Sequence, residues 1–119
     1  MPLQPTIDVK LIESNEHVTH VALTGRLDTQ GVDAVELVFA SHTAARRRPT
    51  IVDLSGVEYL ASLGMGMLVR TARSLSSHAA GMVLLNPQGP VERALRAAQI
   101  DMVVPIVYGR DEALRRLQL

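Results

Sequence analysis

The most informative stretch of this chain runs from Thr50 to Ser77, TIVDLSGVEYLASLGMGMLVRTARSLSS. Its first residues, Thr50 to Leu54, predict a short buried strand that ends at the turn pair Ser55-Gly56. A second short apolar run follows at Val57 to Leu60. Apolar residues then recur at helical spacing, at Met65, Leu68, Val69, Ala72 and Leu75. Ser62 is therefore predicted to lie at the start of a helix that directly follows a buried strand.

The start of this predicted helix combines Ser62 with two glycines, Gly64 and Gly66. A serine at a helix start can accept a hydrogen bond from a free backbone amide, so Ser62 can act as a cap. Each glycine costs a helix about 1 kcal/mol relative to alanine, which indicates that the surface is kept low here. An exposed hydroxyl beside free amides suits a partner protein or a phosphate.

Residues Val52 to Gly66 resemble the central motif of the STAS domain, the fold shared by anti-sigma factor antagonists and the cytoplasmic tails of sulfate transporters. That motif is an apolar strand, Asp-Leu-Ser-Gly-Val, an aromatic-apolar pair and then Asp-Ser-Ser-Gly-Leu-Gly; here it reads VDLSGVEYLASLGMG. In the antagonists a partner kinase phosphorylates the serine directly after the second aspartate, and the resemblance gives Ser62 this role. Two neighbours differ from the motif, because Ala61 replaces the aspartate and Leu63 replaces the second serine.

A second similarity lies at Thr24-Gly25-Arg26-Leu27-Asp28, where the antagonists carry Thr-Gly-Xaa-Leu-Asp. The resemblance implies that Asp28 contributes to the surface that meets the kinase. Asp28 or Thr29 also precedes a helix predicted over Gln30 to Ala45, where a cap is expected. The two roles are compatible, because a capping residue can still present its carboxylate outward. The predicted buried stripe of this helix is Val35, Val38 and Phe39.

The remaining elements are predicted from periodicity and turn residues. They are strands over Thr6 to Ile12, His17 to Leu23, Met82 to Leu85 and Met102 to Val107, and helices over Val91 to Ala98 and Asp111 to Leu117. Pro105 should confine the last strand to a sheet edge. The pattern predicts one α/β domain over residues 1–119, with an N-terminal β-hairpin, a small, mostly parallel mixed sheet of about five strands, and about four helices. The STAS fold has the same order of elements.

Composition limits the possible partners and cofactors. Twelve basic residues balance twelve acidic ones, so charge favours neither nucleic acid nor an anionic membrane as the main partner. The chain has no cysteine. His17 and His20 fall on opposite faces of a strand, so they cannot bind one metal ion together and are predicted to be surface histidines. No metal or other cofactor is therefore expected. The N-terminus lacks an apolar signal region, and no apolar run approaches the ~20 residues of a membrane span. We therefore expect a cytoplasmic, bacterial-type protein without membrane insertion.

An enzyme is the competing class, because Asp53, Ser62 and His78 include the residue types of a hydrolytic triad. The sequence around Ser62 lacks the Gly-Xaa-Ser-Xaa-Gly elbow of many serine hydrolases. A phosphate-binding loop and a dinucleotide fingerprint are also absent, and Lys10 is the single lysine. The sequence therefore predicts a protein that is not an enzyme.

The resemblance implies a regulatory protein that works by binding. Its expected partner is an anti-sigma factor that is also a serine kinase with a histidine-kinase-like ATPase fold; phosphorylation of Ser62 would end the binding, and a serine phosphatase would restore it. The expected contact surface consists of Asp28, Ser62, Gly64, Met65 and Gly66, which should lie at one end of the sheet of a monomer or weak dimer. Met65 and Met67 would add soft apolar surface, with at least one of them in the core. The alternative is a constitutive STAS scaffold or transport-accessory protein, in which Ser62 is only a helix cap.

Overall fold

The computed structural model describes residues 7–119, which form one mixed sheet flanked by helices. The sheet has the order β1-β2-β3-β4-β5, in which β1 and β2 are an antiparallel hairpin and every other neighbouring pair is parallel. Its strands are β1 (Ile7–Ser14), β2 (Thr19–Leu27), β3 (Thr50–Leu60), β4 (Met82–Leu85) and β5 (Ile106–Val107). This confirms the predicted mixed α/β architecture and its N-terminal hairpin; Thr6, the predicted start of the first strand, lies outside the described residues.

The helices of residues 7–119 cover both faces of the sheet. They are α1 (Thr29–His42), α2 (Ser62–Ser76), α3 (Gly89–Ala97) and α4 (Arg110–Arg116), with two 3-10 turns at Ala44–Arg46 and Ile100–Met102. Side chains alternate along a strand, so each strand supplies residues to both faces. The larger core lies between the sheet and α1, α2 and α3, and includes Val21, Leu23, Val52, Leu54, Phe39, Leu68, Leu75 and Leu95. The smaller core lies under α4 and includes Val18, Ile51, Val83, Leu85, Val107 and Ala113.

β3 is longer than the sequence predicted, because Ser55-Gly56 is not a turn. The strand continues through this pair to Leu60, and its register against β2 shifts near it. Leu54 and Val57 are both fully buried although they are three residues apart, which strict alternation would place on opposite faces. The irregularity at Ser55-Gly56 therefore lets Leu54 and Val57 both reach the core, and the strand continues to the start of α2.

α1 differs from its prediction in its buried stripe and in its end. Val38 is 48% exposed, and the helix instead buries Val32 with Val35 and Phe39. The helix ends at His42 rather than Ala45. The backbone leaves helical angles at Thr43 (φ −113°, ψ −86°), whose buried hydroxyl donates to the Phe39 carbonyl at 2.7 Å, and the chain then tightens into a 3-10 turn.

The last predicted strand is mostly not a strand. Only Ile106–Val107 pairs with β4, while Ile100–Met102 forms a 3-10 turn. Pro105 has no amide hydrogen to donate, although its carbonyl accepts a hydrogen bond from the Leu84 amide at 2.9 Å, and β5 lies at the edge of the sheet as predicted.

Candidate functional site

The ends of β2 and β3 bring the two sequence motifs together. Leu27 and Leu60 are register partners at the last position of each strand, and the amide of Ala61 donates to the Leu27 carbonyl at 3.0 Å. Asp28 follows Leu27, and Ser62 follows Ala61. Because the strands are parallel, both residues leave the sheet at the same end, where α1 and α2 begin.

Asp28 is the N-cap of α1. Its Oδ1 accepts a hydrogen bond from the Gly31 amide at 2.8 Å, which satisfies one of the free amides of the first turn. Its other oxygen, Oδ2, lies 3.6 Å from Nε of Arg26. The predicted capping role is confirmed, and the carboxylate is still partly accessible.

Ser62 is the first residue of α2, and its side chain is exposed. The cap position belongs to Ala61, whose methyl group cannot accept a hydrogen bond, so no side chain caps this helix. The capping role that the sequence allowed for Ser62 is therefore wrong, since the serine lies one residue too far along the chain to fill it.

The two glycines of this helix start have different surroundings. Gly64 is buried, and a Cβ placed on it would lie only 2.7 Å from the Leu27 carbonyl oxygen and 2.8 Å from the Leu27 Cγ. Gly64 therefore allows α2 to pack on the end of β2 and does not form part of the exposed surface, contrary to the low-surface interpretation. Gly66 is half-exposed, and the nearest atom to its added Cβ is Nη1 of Arg70 at 3.1 Å.

The apolar residues near Ser62 divide between core and surface. Met67 is 3% exposed and belongs to the core, while Met65 is half-buried and packs against it. The prediction that one methionine has a core role is confirmed by Met67. Leu63 is 50% exposed beside Ser62, so it contributes more apolar surface here than either methionine.

Arg26 and Tyr59 also belong to this end of the sheet, although sequence reasoning did not select them. They are register partners on β2 and β3, and the Arg26 guanidinium carbon lies 4.5 Å from the centre of the Tyr59 ring, a cation–π contact. Arg26 thus connects an exposed aromatic ring to the carboxylate of Asp28. The sequence could have pointed to Tyr59, a tyrosine just before the end of a strand. Its contact with Arg26, however, depends on a shift in the register of β2 and β3 that the sequence does not show.

His20 lies in β2 away from this end and is not a surface histidine. It is 8% exposed, and its Nδ1 faces Nη1 of Arg110 at 3.0 Å, while the same guanidinium pairs with Glu13. Burial, and then the positive charge of Arg110, lower the pKa of His20, against the opposing charges of Asp53 and Glu13. The prediction failed because α4 brings Arg110 over this face of the hairpin. His17 is exposed, as predicted.

Neither a hydrolytic triad nor a metal cluster forms among residues 7–119. Ser62 begins α2 and His78 lies beyond its end, so the helix separates them by roughly 20 Å at about 1.5 Å per residue. No group of three His, Asp or Glu side chains in the described part of the chain could hold a metal ion. In the same residues, every helix is too short or too polar to cross a membrane.

Comparison with known proteins identifies the family. The STAS domain family model matches residues 10–113, so the chain belongs to the STAS domain family. A proposed anti-sigma factor antagonist from Thermotoga neapolitana is 35% identical over 65 residues, a match that covers 55% of this chain and 58% of the relative. The chain thus matches little more than half of that relative's length.

Solved structures agree with this assignment. An anti-sigma factor antagonist from Mycobacterium paratuberculosis is 25% identical, with complete coverage of both chains and a TM-score of 0.84. The antagonist SpoIIAA in its unphosphorylated form is 18% identical over 93% of this chain and 96% of its own, with a TM-score of 0.74. The phosphorylated form, from Bacillus, is 18% identical over 92% and 98%, with a TM-score of 0.62. The protein is therefore a STAS-domain protein that is similar to anti-sigma factor antagonists, which form a regulatory and not an enzymatic family.

Proposed function

We propose that this chain is a cytoplasmic anti-sigma factor antagonist that binds a serine-kinase-type anti-sigma factor, and that phosphorylation of Ser62 ends the binding. In its unphosphorylated form it occupies the kinase and frees the sigma factor that the kinase held. A serine phosphatase restores the active form. The partner has a histidine-kinase-like ATPase fold, and this chain acts on it as a single domain, as a monomer or weak dimer.

The position of Ser62 is the observation that carries this proposal. The residue is exposed at the end of the sheet where the second family motif, at Asp28, also emerges. Because Ala61 occupies the cap position, the Ser62 hydroxyl is not needed to complete the helix. A serine that is exposed and has no capping role can be modified without loss of a structural hydrogen bond.

A phosphate at this position is compatible with the fold and incompatible with a buried interface. Phosphorylation adds nearly two negative charges at the first residue of α2, where the helix dipole favours each charge by about 0.3–1 kcal/mol. The same phosphate would lose its water in a protein interface, at a cost of about 1–3 kcal/mol or more if it found no partner. Phosphorylation should therefore abolish binding while the domain stays folded.

The partner surface proposed around Ser62 consists of Asp28, Leu63, Met65 and Gly66. Leu63 supplies exposed apolar area and Gly66 a low surface, while Asp28 supplies a negative charge. Gly64, included in the predicted surface, supports it from below by letting α2 approach Leu27.

The test uses the anti-sigma factor partner, which is to be sought among the products of the genes adjacent to that of this chain. We expect Ser62→Ala to bind this partner and Ser62→Asp to bind at least tenfold more weakly, and neither variant should have a lowered melting temperature. Ser76→Asp, at the other end of the same helix, is the matched control and should bind normally. Equal affinity of Ser62→Asp and the unsubstituted chain would contradict the switch.

One observation favours the constitutive alternative. Ala61 and Leu63 replace the polar residues that flank the acceptor serine in the family motif, and Leu63 is exposed beside Ser62. Under this alternative, the chain is a STAS scaffold or transport-accessory protein that is never phosphorylated. Incubation with the partner kinase and ATP separates the two, because the switch requires phosphate incorporation into the unsubstituted chain and none into Ser62→Ala.

A further inference from the structure

The arginine that lies along α2 behind Ser62 is Arg70. Its Nη1 lies 3.1 Å from the position that a Cβ on Gly66 would take, so the guanidinium occupies the space left by the missing side chain. Side chains on a helix lean toward its N-terminus, which is the direction of Ser62. Ser62, Gly66 and Arg70 thus form one i, i+4, i+8 row, with a charged group above the glycine.

This row brings the guanidinium within reach of a phosphate on Ser62. Cβ positions four residues apart on a helix are about 5–6 Å apart, which places Nη1 no more than about 9 Å from the Ser62 Cβ. A phosphate extends beyond the serine oxygen, and a charge-assisted hydrogen bond spans about 2.8 Å more. Rotation within the long arginine side chain closes the remaining gap, and Gly66 presents no side chain in the way.

The present partner of Arg70 is a weak competitor. Nη2 lies 3.2 Å from Oε1 of Glu36 on α1, and the two side chains are 60% and 48% exposed. Exposed ion pairs of this kind contribute little, whereas an arginine can bind a phosphate through two parallel charge-assisted hydrogen bonds. A phosphate therefore competes well for the guanidinium.

We propose that Arg70 is the intramolecular receptor for a phosphate on Ser62, and that phosphorylation draws its guanidinium from Glu36 across Gly66. This inference rests on the proposed phosphorylation of Ser62. Its consequence is that phosphorylation changes the surface of both helices: the guanidinium that lies above Gly66 moves toward residue 62, and Glu36 on α1 loses its positive partner.

The test places phosphoserine at position 62 during translation, so that no kinase is needed, and follows the phosphate by ³¹P NMR as a function of pH. The second pKa of phosphoserine is about 6, and a nearby cation lowers it. We expect Arg70→Gln to raise this pKa by about half a unit, a roughly threefold change in proton affinity. Arg73→Gln is the matched control, because Arg73 lies about 4.5 Å farther along the same helix and should have no effect.

Two further variants make the assignment specific. Glu36→Gln frees Arg70 from its present partner, so the phosphate pKa should stay low or fall further. Arg26→Gln removes the guanidinium that lies beside Asp28 and should leave the pKa of the phosphate unchanged. The proposal is wrong if Arg70→Gln behaves like Arg73→Gln, or if Arg26→Gln carries the effect instead.

A failure of this inference and a failure of the proposed function give different results. If the phosphoserine chain still binds the anti-sigma factor tightly, the switch fails although the Arg70 effect on the phosphate pKa stands. If binding is lost but Arg70→Gln leaves the pKa unchanged, the switch stands and Arg70 is not its receptor.

Discussion

Leu27 and Gly64 are in direct contact, because the Leu27 carbonyl oxygen lies 2.7 Å from the place where a side chain on Gly64 would begin. The same carbonyl accepts the amide hydrogen of Ala61, so it is fixed in position. A glycine at position 64 is therefore what allows the first turn of α2 to lie against the end of β2. Through this contact the two motifs, at Asp28 and at Ser62, are held side by side.

The two glycines of α2 should respond in opposite ways to the same substitution. Gly64→Ala forces a methyl group against backbone and should destabilise the domain by about 1–3 kcal/mol. Gly66→Ala meets only the flexible end of Arg70 and gains helix propensity, so it should be neutral or stabilising by up to about 1 kcal/mol. Denaturant unfolding of the two variants measures the difference, and equal effects would contradict the assigned packing.

The missing cap of α2 offers a gain in stability. Ala61 has extended backbone angles, φ −93° and ψ 171°, which are those of an N-cap residue, but it supplies no acceptor. Ala61→Ser and Ala61→Asp should stabilise the domain by about 0.5–2 kcal/mol, and aspartate should add a favourable interaction with the helix dipole. Ser62→Ala should leave stability nearly unchanged because Ser62 is not the cap. If instead Ser62→Ala costs about 1 kcal/mol and the Ala61 variants gain nothing, Ser62 is the cap and α2 begins one residue later, at Leu63.

His20 should make stability depend on pH. Its pKa in the folded chain is lowered from 6.5, first by burial and then by Arg110, so the folded state favours the neutral ring. As the pH falls below about 6.5, the unfolded chain binds more protons than the folded chain, so the free energy of unfolding decreases. The stability that the neutral ring provides is lost as the pH falls through the lower pKa of the folded state.

The free energy of unfolding measured between pH 7.5 and pH 5 tests this expectation. His20→Gln should flatten the part of the curve that the histidine causes. Exposed His17 is the matched control, since His17→Gln should keep the same slope. A curve that His20→Gln leaves unchanged would show that another group controls the acid response.

The sequence predicted most of the architecture because the motifs and apolar runs are local. The start of α2 at Ser62, the cap at Asp28 and the strand at Met82–Leu85 were all correct. One error in the architecture came from a contact distant in sequence. Ser55-Gly56 resembles a turn, but pairing with β2 keeps it in a strand.

The candidate site was predicted less completely, for the same reason. Gly64 was interpreted as surface because its contact with Leu27 depends on how α2 packs, and the Arg26–Tyr59 contact depends on strand register. His20 is buried by Arg110, which is ninety residues away. Local spacing identifies which residues carry chemistry, whereas packing decides which of them are exposed.

Asp28 carries two roles that a pair of substitutions can separate. Asp28→Ala removes the hydrogen bond to the Gly31 amide and should cost about 1 kcal/mol of stability. Asp28→Asn keeps a good capping side chain without the charge, so its unfolding free energy should stay close to that of the unsubstituted chain.

If the carboxylate contacts the anti-sigma factor, Asp28→Asn should still weaken that binding, because charged hydrogen bonds contribute more than neutral ones. Calorimetric affinity and denaturant unfolding, measured on the same two variants, distinguish the roles. Normal binding by Asp28→Asn would restrict Asp28 to its structural role as a cap, and the partner surface would then depend on Ser62, Leu63, Met65 and Gly66.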